Sequence, residues 1–330
     1  MNHFGNNIVL TTFGESHGLA VGGLLDGIPS NIALNFDFIK SELSRRRGGN
    51  SALTTARKEP DDFELLSGVF NGKTLGSPIA FEIRNADIDD NAYAPLKDYF
   101  RPGHADFTYD AKYGHRDWRG GGRSSARETA ARVLAGAIVK QLPSMQGIVF
   151  NCKPEPLNPT ENNGRHESPD AIVQQAPYTT LGGKIRCTIT GVPVGVGSPV
   201  FDKLNARLAY AMMGIPSAIG FEMGCGATAA SMTGKEFADQ WTPLSDNSDI
   251  TSTNHCGGIQ GGISNGMPIE FTVTFHPVST QIGTMICRNR EGELKEIQVN
   301  GRHDRNHLER IPVIIESMAA LVLADLMTEH

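Results

Sequence analysis

The chain has no run of about 18 apolar residues, so its sequence predicts no membrane span. Its first residues, Met-Asn-His-Phe-Gly-Asn-Asn, offer neither a basic stretch nor an apolar stretch behind it, which argues against a secretory leader. Cysteine is sparse: Cys152, Cys187, Cys225, Cys256 and Cys287 are scattered, odd in number and without a C-x-x-C pair. That usage points to free thiols in a reducing cytoplasm and against a structural zinc. No H-x-x-x-H or matching carboxylate spacing marks a catalytic metal, so no metal ligand is expected. Fixed-period repeats and strict βαβ alternation are also missing, and a dinucleotide-binding parallel sheet is not expected. The run Gly120-Gly121-Gly122 neither fits G-x-G-x-x-G nor ends in the Gly-Lys of a P-loop.

What is present is an ordinary globular composition: 330 residues, 39% hydrophobic and 20% charged, enough for a sizeable core. The formal net charge is −6, so the protein as a whole is not drawn to polyanions. Arginines nevertheless cluster at 45–47, 116–127 and 302–310. An acidic protein with local arginine clusters suits a small anion held in a pocket better than nucleic acid. Glycine is abundant, at 37 residues, and sits in bursts beside serine, arginine and histidine. Such bursts occur where backbone turns sharply or approaches a ligand closely.

Hydrophobic patterning predicts strands at 8–13 and 19–25 around the turn Gly14-Glu15-Ser16-His17-Gly18. Spacing through Phe38, Ile39 and Leu43 predicts a helix from Phe36 to Arg47. Residues 63–84 read as two strands around Asn71-Gly72. The strongest helix signal is 125–142, with Ser124 or Ser125 as cap, Glu128 placed for a capping box, and Ala130, Val133, Leu134, Ile138 and Val139 on one face. A polar stretch at 152–170 reads as a surface excursion from one domain spanning 1–330. Further strands are expected at 184–190 and 269–275, and helices at 202–213 and 311–327. Strand pairs joined by short turns and separated by a few long helices indicate an α+β layered protein.

Candidate chemistry begins at Arg119-Gly-Gly-Gly-Arg-Ser-Ser-Ala-Arg-Glu128. A glycine loop running into a capped helix offers free N–H groups and the positive end of the helix dipole to a phosphate. Ser124 and Ser125 add hydroxyls, and Arg123 and Arg127 add bidentate forks. A glycine turn with solvated arginines, or an RNA-binding RGG segment, would use the same residues, although the latter favours disordered tracts rather than the start of a strong helix. His17 and His104 stand in glycine-flanked turns, where imidazole suits proton transfer and equally suits a backbone-bonded turn. His255 and His303 raise the same pair of readings. Asp304 follows Arg302 and His303, as either a site carboxylate or a surface ion pair. Arg45-Arg46-Arg47 closes a helix, where cations are favoured in any case. Residue chemistry thus reaches an enzyme for a small phosphorylated anion and does not name its reaction.

At these strings the chain resembles the chorismate synthases. The shared motifs are Thr-Thr-Phe-Gly-Glu-Ser-His-Gly (11–18), Arg-Arg-Arg (45–47), Arg-Pro-Gly-His-Ala-Asp (101–106), Arg-Gly-Gly-Gly-Arg-Ser-Ser-Ala-Arg-Glu-Thr (119–129), Asn-His-Cys-Gly-Gly-Ile-Gln-Gly-Gly-Ile-Ser (254–264) and Gly-Arg-His-Asp (301–304). They occur in the family's order from end to end.

The resemblance implies a β-α-β sandwich with antiparallel sheets around long central helices, assembled as a homotetramer. It implies a cytoplasmic lyase of aromatic amino acid biosynthesis, with no membrane or nucleic-acid partner. The reaction is 1,4-anti elimination of phosphate from 5-enolpyruvylshikimate 3-phosphate to give chorismate, with reduced FMN as cofactor, NADP as an associated nucleotide, and an outside reductant for the flavin.

By motif match, Arg46, Arg101, Arg127 and Arg302 would bind the substrate, His17 would protonate the departing phosphate and His104 would serve the flavin. Asp304 would help remove the ring proton. FMN contacts would come from Arg123, Ser124, Ser125, Ser217, Gly261, His276, Pro277, Val278, Ser279, Thr280 and Arg302.

Three departures from the family pattern stand out. His276-Pro-Val-Ser-Thr280 replaces Lys-Pro-x-Ser-Ser, which makes flavin binding sensitive to rising pH. Ala52 replaces an arginine, and Arg305-Asn306 replaces Pro-Cys. A phosphotransferase would need a nucleotide or metal motif, which is not found. A non-catalytic flavin- or phosphate-binding module would leave the two histidines and Asp304 unused.

Overall fold

The computed structural model describes residues 1–47, 59–88, 91–155, 180–243, 250–280, 283–299 and 307–328. In chain order the strands are β1 (His3–Phe4), β2 (Val9–Phe13), β3 (Ala20–Asp26), β4 (Phe63–Leu65), β5 (Val69–Phe70), β6 (Lys73–Thr74), β7 (Ile79–Arg84), β8 (Val149–Pro154), β9 (Gly183–Thr190), β10 (Ala218–Met223), β11 (Ile259–Gln260), β12 (Ile263–Ser264), β13 (Ile269–Phe275), β14 (Gly283–Arg288) and β15 (Leu294–Val299). The α-helices are α1 (Phe36–Arg46), α2 (Asp106–Tyr113), α3 (Thr129–Val139), α4 (Leu204–Met213), α5 (Gly234–Phe237) and α6 (Ile311–Met327).

A five-stranded antiparallel sheet, ordered β1-β2-β3-β7-β4, and a four-stranded antiparallel sheet, ordered β10-β13-β9-β8, enclose a layer of helices. The first sheet lies on α3, the second on α6 and α4, and α3 and α6 pack on each other. The fold is α+β, with its helices inside. This arrangement explains helices that lack a polar face: 10 of the 11 residues of α3 and 15 of the 17 of α6 are buried. Strands β9 and β13, with only one face on the helices, keep strict alternation and send Ile185, Cys187, Ile189, Ile269, Phe271, Val273 and Phe275 inward. Among the described residues no helix is long and apolar enough to cross a membrane. A smaller apolar cluster of Leu96, Cys287, Ile297 and Val299, joined by Tyr93 and Tyr99, supports the β14–β15 hairpin and the turn carrying Arg101.

Several sequence expectations need correction. The two strands expected at 63–84 are four: β4 pairs with β7, while Asn71-Gly72 turns only the short β5–β6 hairpin. The helix expected from 125 begins at Thr129, after two 3-10 turns at Gly122–Ser124 and Ala126–Glu128. Ser125 does cap, but it caps the second 3-10 turn by accepting from the Arg127 N–H. Glu128 closes no capping box and instead pairs with Arg132 at 2.7 Å and Arg123 at 3.5 Å. The expectation of five free thiols fails for one pair. Cys152 and Cys187 are register partners on β8 and β9 and form a disulfide, while Cys225, Cys256 and Cys287 are free. Of the polar stretch at 152–170, residues 152–154 belong to β8 and the described residues end at 155.

Candidate active site

One end of the helical layer is where chain segments distant in sequence meet. The C-terminus of α1, the N-termini of α3 and α6, the turn between β2 and β3, and the segment after β13 surround a cavity of about 290 Å³. From these segments come Ser16, His17, Arg46, Ser124, Ser125, Arg127, His276, Val278, Ser279 and Thr280; Arg101 and His104 from the turn before α2 and Ser217 from the turn before β10 also line it. Helix and strand ends carry such residues because the backbone there is released from its ladder and can turn toward a ligand.

His17 sits in the β2–β3 turn, anchored through the Ser16 N–H to the Gly122 carbonyl at 3.2 Å. Its ring is 7% exposed, has Ser16 Oγ 3.2 Å from Nδ1, and meets the Tyr93 ring edge-on at 5.2 Å. Gly120 makes this packing possible. Its φ is +62°, and a Cβ there would stand 2.6 Å from His17 Cε1. The glycine run therefore makes room for a histidine, a role the sequence did not suggest.

His104 lies in the turn before α2. The Asp106 N–H donates to its Nδ1 at 3.2 Å, and Arg101 Nη2 lies 3.1 Å from the same nitrogen. Two donors converging on Nδ1 make it an acceptor and place the ring proton on Nε2. Asp106 Oδ1 at 3.1 Å would favour the doubly protonated ring. Burial and the cations Arg101 and Arg116 outweigh that carboxylate and hold the imidazole below its ordinary range. We therefore read His104 as neutral.

The arginines are buried and oriented. Arg101 Nε donates to Asp106 Oδ2 at 2.7 Å and its Nη2 to Asp106 Oδ1 at 3.0 Å, while Nη1 reaches Thr280 Oγ1 at 3.2 Å. Burial raises the Asp106 carboxyl, but the Arg101 guanidinium, which donates to both of its oxygens, reverses this and holds it well below the usual carboxylate range. Arg46 Nη2 donates to Asp61 Oδ2 at 2.6 Å, and Arg127 Nη1 donates to Asp61 Oδ1. Arg127 also donates to Asn85 Oδ1 at 2.7 Å and the Arg84 carbonyl at 3.1 Å. Arg46 Nε is buried and has no hydrogen-bond acceptor among the described residues. Arg45 takes no part: with Lys140 it pairs with Glu42 and Glu316 between helices α1, α3 and α6.

The segment after β13 forms a further part of the wall. The His276 N–H donates to the Ser217 carbonyl at 2.9 Å, and Ser279 Oγ donates to the Gly103 carbonyl at 2.5 Å. Ser217 holds φ +67°, a conformation rare outside glycine, and its Oγ lies 3.0 Å from His307 Nε2. Ile215, Pro216, Val278, Ile311 and Ile314 add an apolar face.

Other expected residues lie elsewhere. Pro277 does not line the cavity and packs toward Gly182. Gly261 is in the β11–β12 turn and does not line it either. The Arg123 side chain is directed to the Thr12 carbonyl at 3.0 Å and lines a neighbouring groove with Arg116, Arg119 and Ser124. Arg302, His303, Asp304, Arg305, Asn306 and Ala52 fall outside the described residues. His255 lies away from this cavity, 3.3 Å from Asp239. Beside it Cys256 is a thiol pushed up to about 11 by burial and its bond to Asp239. Sequence reasoning missed Glu59, Asp61, Tyr93, His307 and Arg310. Asp106 stood in a motif without a role, Arg310 closed the 302–310 arginine cluster without one, and the others carry no local signal.

The family model described as chorismate synthase matches residues 8–328. The chain is 46% identical to the chorismate synthase of Christiangramia forsetii, with 98% of this chain and 96% of that protein covered. It is 45% identical to that of Flavobacterium psychrophilum, with the same coverage, and 43% identical to that of Azobacteroides pseudotrichonymphae, covering 98% of each. A crystal structure of a chorismate synthase superposes with a TM-score of 0.74 at 29% identity, covering 99% of this chain and 93% of that one.

Proposed function

This chain belongs to the chorismate synthase family, a family of lyases, and from that premise we propose that it eliminates phosphate from 5-enolpyruvylshikimate 3-phosphate to give chorismate, using reduced FMN. The observation that carries the reading is the convergence of Arg46, Arg101, Arg127, His17 and His104 on one cavity, where Arg46 Nε is buried and lacks an acceptor. Buried guanidiniums that converge on a cavity suit the oxygens of an anionic ligand. The substrate's phosphate and two carboxylates match several buried guanidiniums.

The remaining lining of the cavity suits a flavin mononucleotide. Ser124, Ser125, Ser217, His276, Ser279 and Thr280 give one side of the cavity a polar lining suited to a polar ring edge, and Ile215, Pro216, Val278, Ile311 and Ile314 supply an apolar face for a planar ring. The chemistry that reduced FMN supplies when bound is transient electron donation to the substrate, with no net oxidation. In this reading the arginines bind and orient the substrate and exclude water from its anionic groups. His17 delivers a proton to the phosphate oxygen as the C–O bond breaks. Asp304 accepts the ring proton, and the C–H electron pair becomes part of the new diene. His104, neutral, donates through Nε2. Homotetrameric assembly, a cytoplasmic location and an outside flavin reductant complete the reading.

Anaerobic phosphate release from 5-enolpyruvylshikimate 3-phosphate, with and without reduced FMN, tests it. Release is expected only with reduced FMN. His17→Ala should lower turnover by about 10²–10⁴ while sparing FMN affinity, and Asp304→Asn should slow proton removal by a comparable factor. Equal loss of FMN affinity in His17→Ala would reassign that histidine to cofactor binding. Unchanged turnover in Asp304→Asn would remove Asp304 from the mechanism.

A further inference from the structure

The two cavity arginines from different elements, Arg46 on α1 and Arg127 on the turn before α3, share one carboxylate. Asp61 gives Oδ2 to Arg46 and Oδ1 to Arg127, and its side chain is fully buried. It does so from a left-handed backbone, φ +53°, that residues other than glycine rarely adopt. Burial alone would raise the Asp61 carboxyl, and the two guanidiniums reverse this, so it is ionised beside them. Glu59 is the next nearest carboxylate, 3.8 Å from Arg127, and its oxygens accept the N–H groups of Ala86 and Asp87. Asp61 does not itself line the cavity, whereas both arginines do.

Two bare guanidiniums side by side make a strong site for a dianion. One carboxylate between them lowers the charge of the pair by a full unit while both arginines still line the cavity. We propose that Asp61 is the built-in counter-ion of the Arg46–Arg127 clamp and sets its preference for a singly charged carboxylate over the dianion of inorganic phosphate. This deepens the reading above and rests on it for the physiological ligand. A clamp so tuned holds a substrate carboxylate and does not retain the phosphate that the reaction releases. Asp61 is thus a positioning residue that acts through the arginines, and a fixed negative charge opposes a dianion about twice as strongly as a monoanion.

The test needs neither flavin nor turnover. Sodium phosphate and sodium acetate are titrated calorimetrically into the full-length protein and into Asp61→Asn. The variant is expected to bind phosphate at least about tenfold more tightly, with a smaller gain for acetate and a gap that narrows as NaCl is raised. A purely structural role predicts the opposite sign, because a disordered clamp binds every anion less well. Unchanged or weaker phosphate binding overturns the proposal, and so does an equal gain for acetate. Should Asp61→Asn not fold, Arg46→Gln is compared with Arg46→Gln/Asp61→Asn, and the double variant should bind phosphate more tightly than the single one. Absence of phosphate release by the wild-type protein with reduced FMN would refute the proposed reaction and leave this comparison of affinities intact.

Discussion

His17 and His104 occupy similar glycine-flanked turns, and their surroundings give them different chemistry. Around His104 burial and the cations Arg101 and Arg116 hold the imidazole neutral, while its partner Asp106 stays ionised. A histidine whose folded affinity for protons is lowered favours the fold above the ordinary pKa of about 6.5, and that contribution is lost as pH falls below it. The unfolded chain then binds the proton that the folded site refuses. The melting temperature of the wild-type protein should therefore drop between about pH 6.5 and 5, and His104→Gln should flatten that drop in a thermal scan across pH. A parallel slope in wild type and variant would mean that the imidazole is not held neutral. The Arg-Arg-Arg run divides in the same way: Arg46 faces the cavity, and Arg45 is consumed by Glu42 and Glu316.

Helices α3 and α6 form the centre of the molecule, and their closest approach depends on Gly136. A Cβ at that position would stand 2.4 Å from Ser317 Cβ and 2.6 Å from Ser317 Cα, so the neighbouring backbone would have to move. Gly136→Ala gains helix propensity but forces the two helices apart. The overpacking should cost about 1–3 kcal/mol, read as a lower urea midpoint with an unchanged m-value. Stabilisation by the alanine would show that the helices can separate freely. Because α3 and α6 also start at the cavity, the same variant should weaken the alignment of Thr129, Arg310 and Ile311 along its wall.

Across the whole molecule, the two ends of the chain are joined through one buried carboxylate. Asp325 Oδ1 accepts the N–H groups of Asn6 at 2.9 Å, Asn7 at 2.6 Å and Ile8 at 2.9 Å, and Oδ2 accepts from Arg207 Nη2 at 2.6 Å. Removing it leaves a cation on α4 and a row of backbone donors without their acceptor. Asp325→Ala should cost about 3–5 kcal/mol in chemical denaturation, and Asp325→Asn less, since it keeps one acceptor oxygen. A loss below about 1 kcal/mol in the alanine variant would show that water replaces the carboxylate.

Local pattern was enough for the elements whose surroundings are simple. The 311–327 helix, the strand at 269–275 and the turn holding His17 were legible because burial all round leaves an apolar run, burial on one face leaves a period, and a turn leaves glycine. The family motifs likewise brought Arg46, Arg101, Arg127, His17 and His104 forward, since each sits in a distinctive string. The 125–142 signal begins too early because Ser125 and Glu128 look like a capping box, yet the nearby Arg123 and Arg132 engage the Glu128 carboxylate. Pairing of Cys152 with Cys187 depends on strand register, which scattered spacing does not reveal. Asp61 carries no local mark at all. Its left-handed backbone and its two arginines, 15 and 66 residues away in sequence, come together only through long-range packing. The sequence by itself determined the layered class, the family and the residue types that line the cavity. Tertiary structure alone decided which cations face the cavity and which carboxylate stands behind them, because charge balance in a buried site depends on neighbours in space.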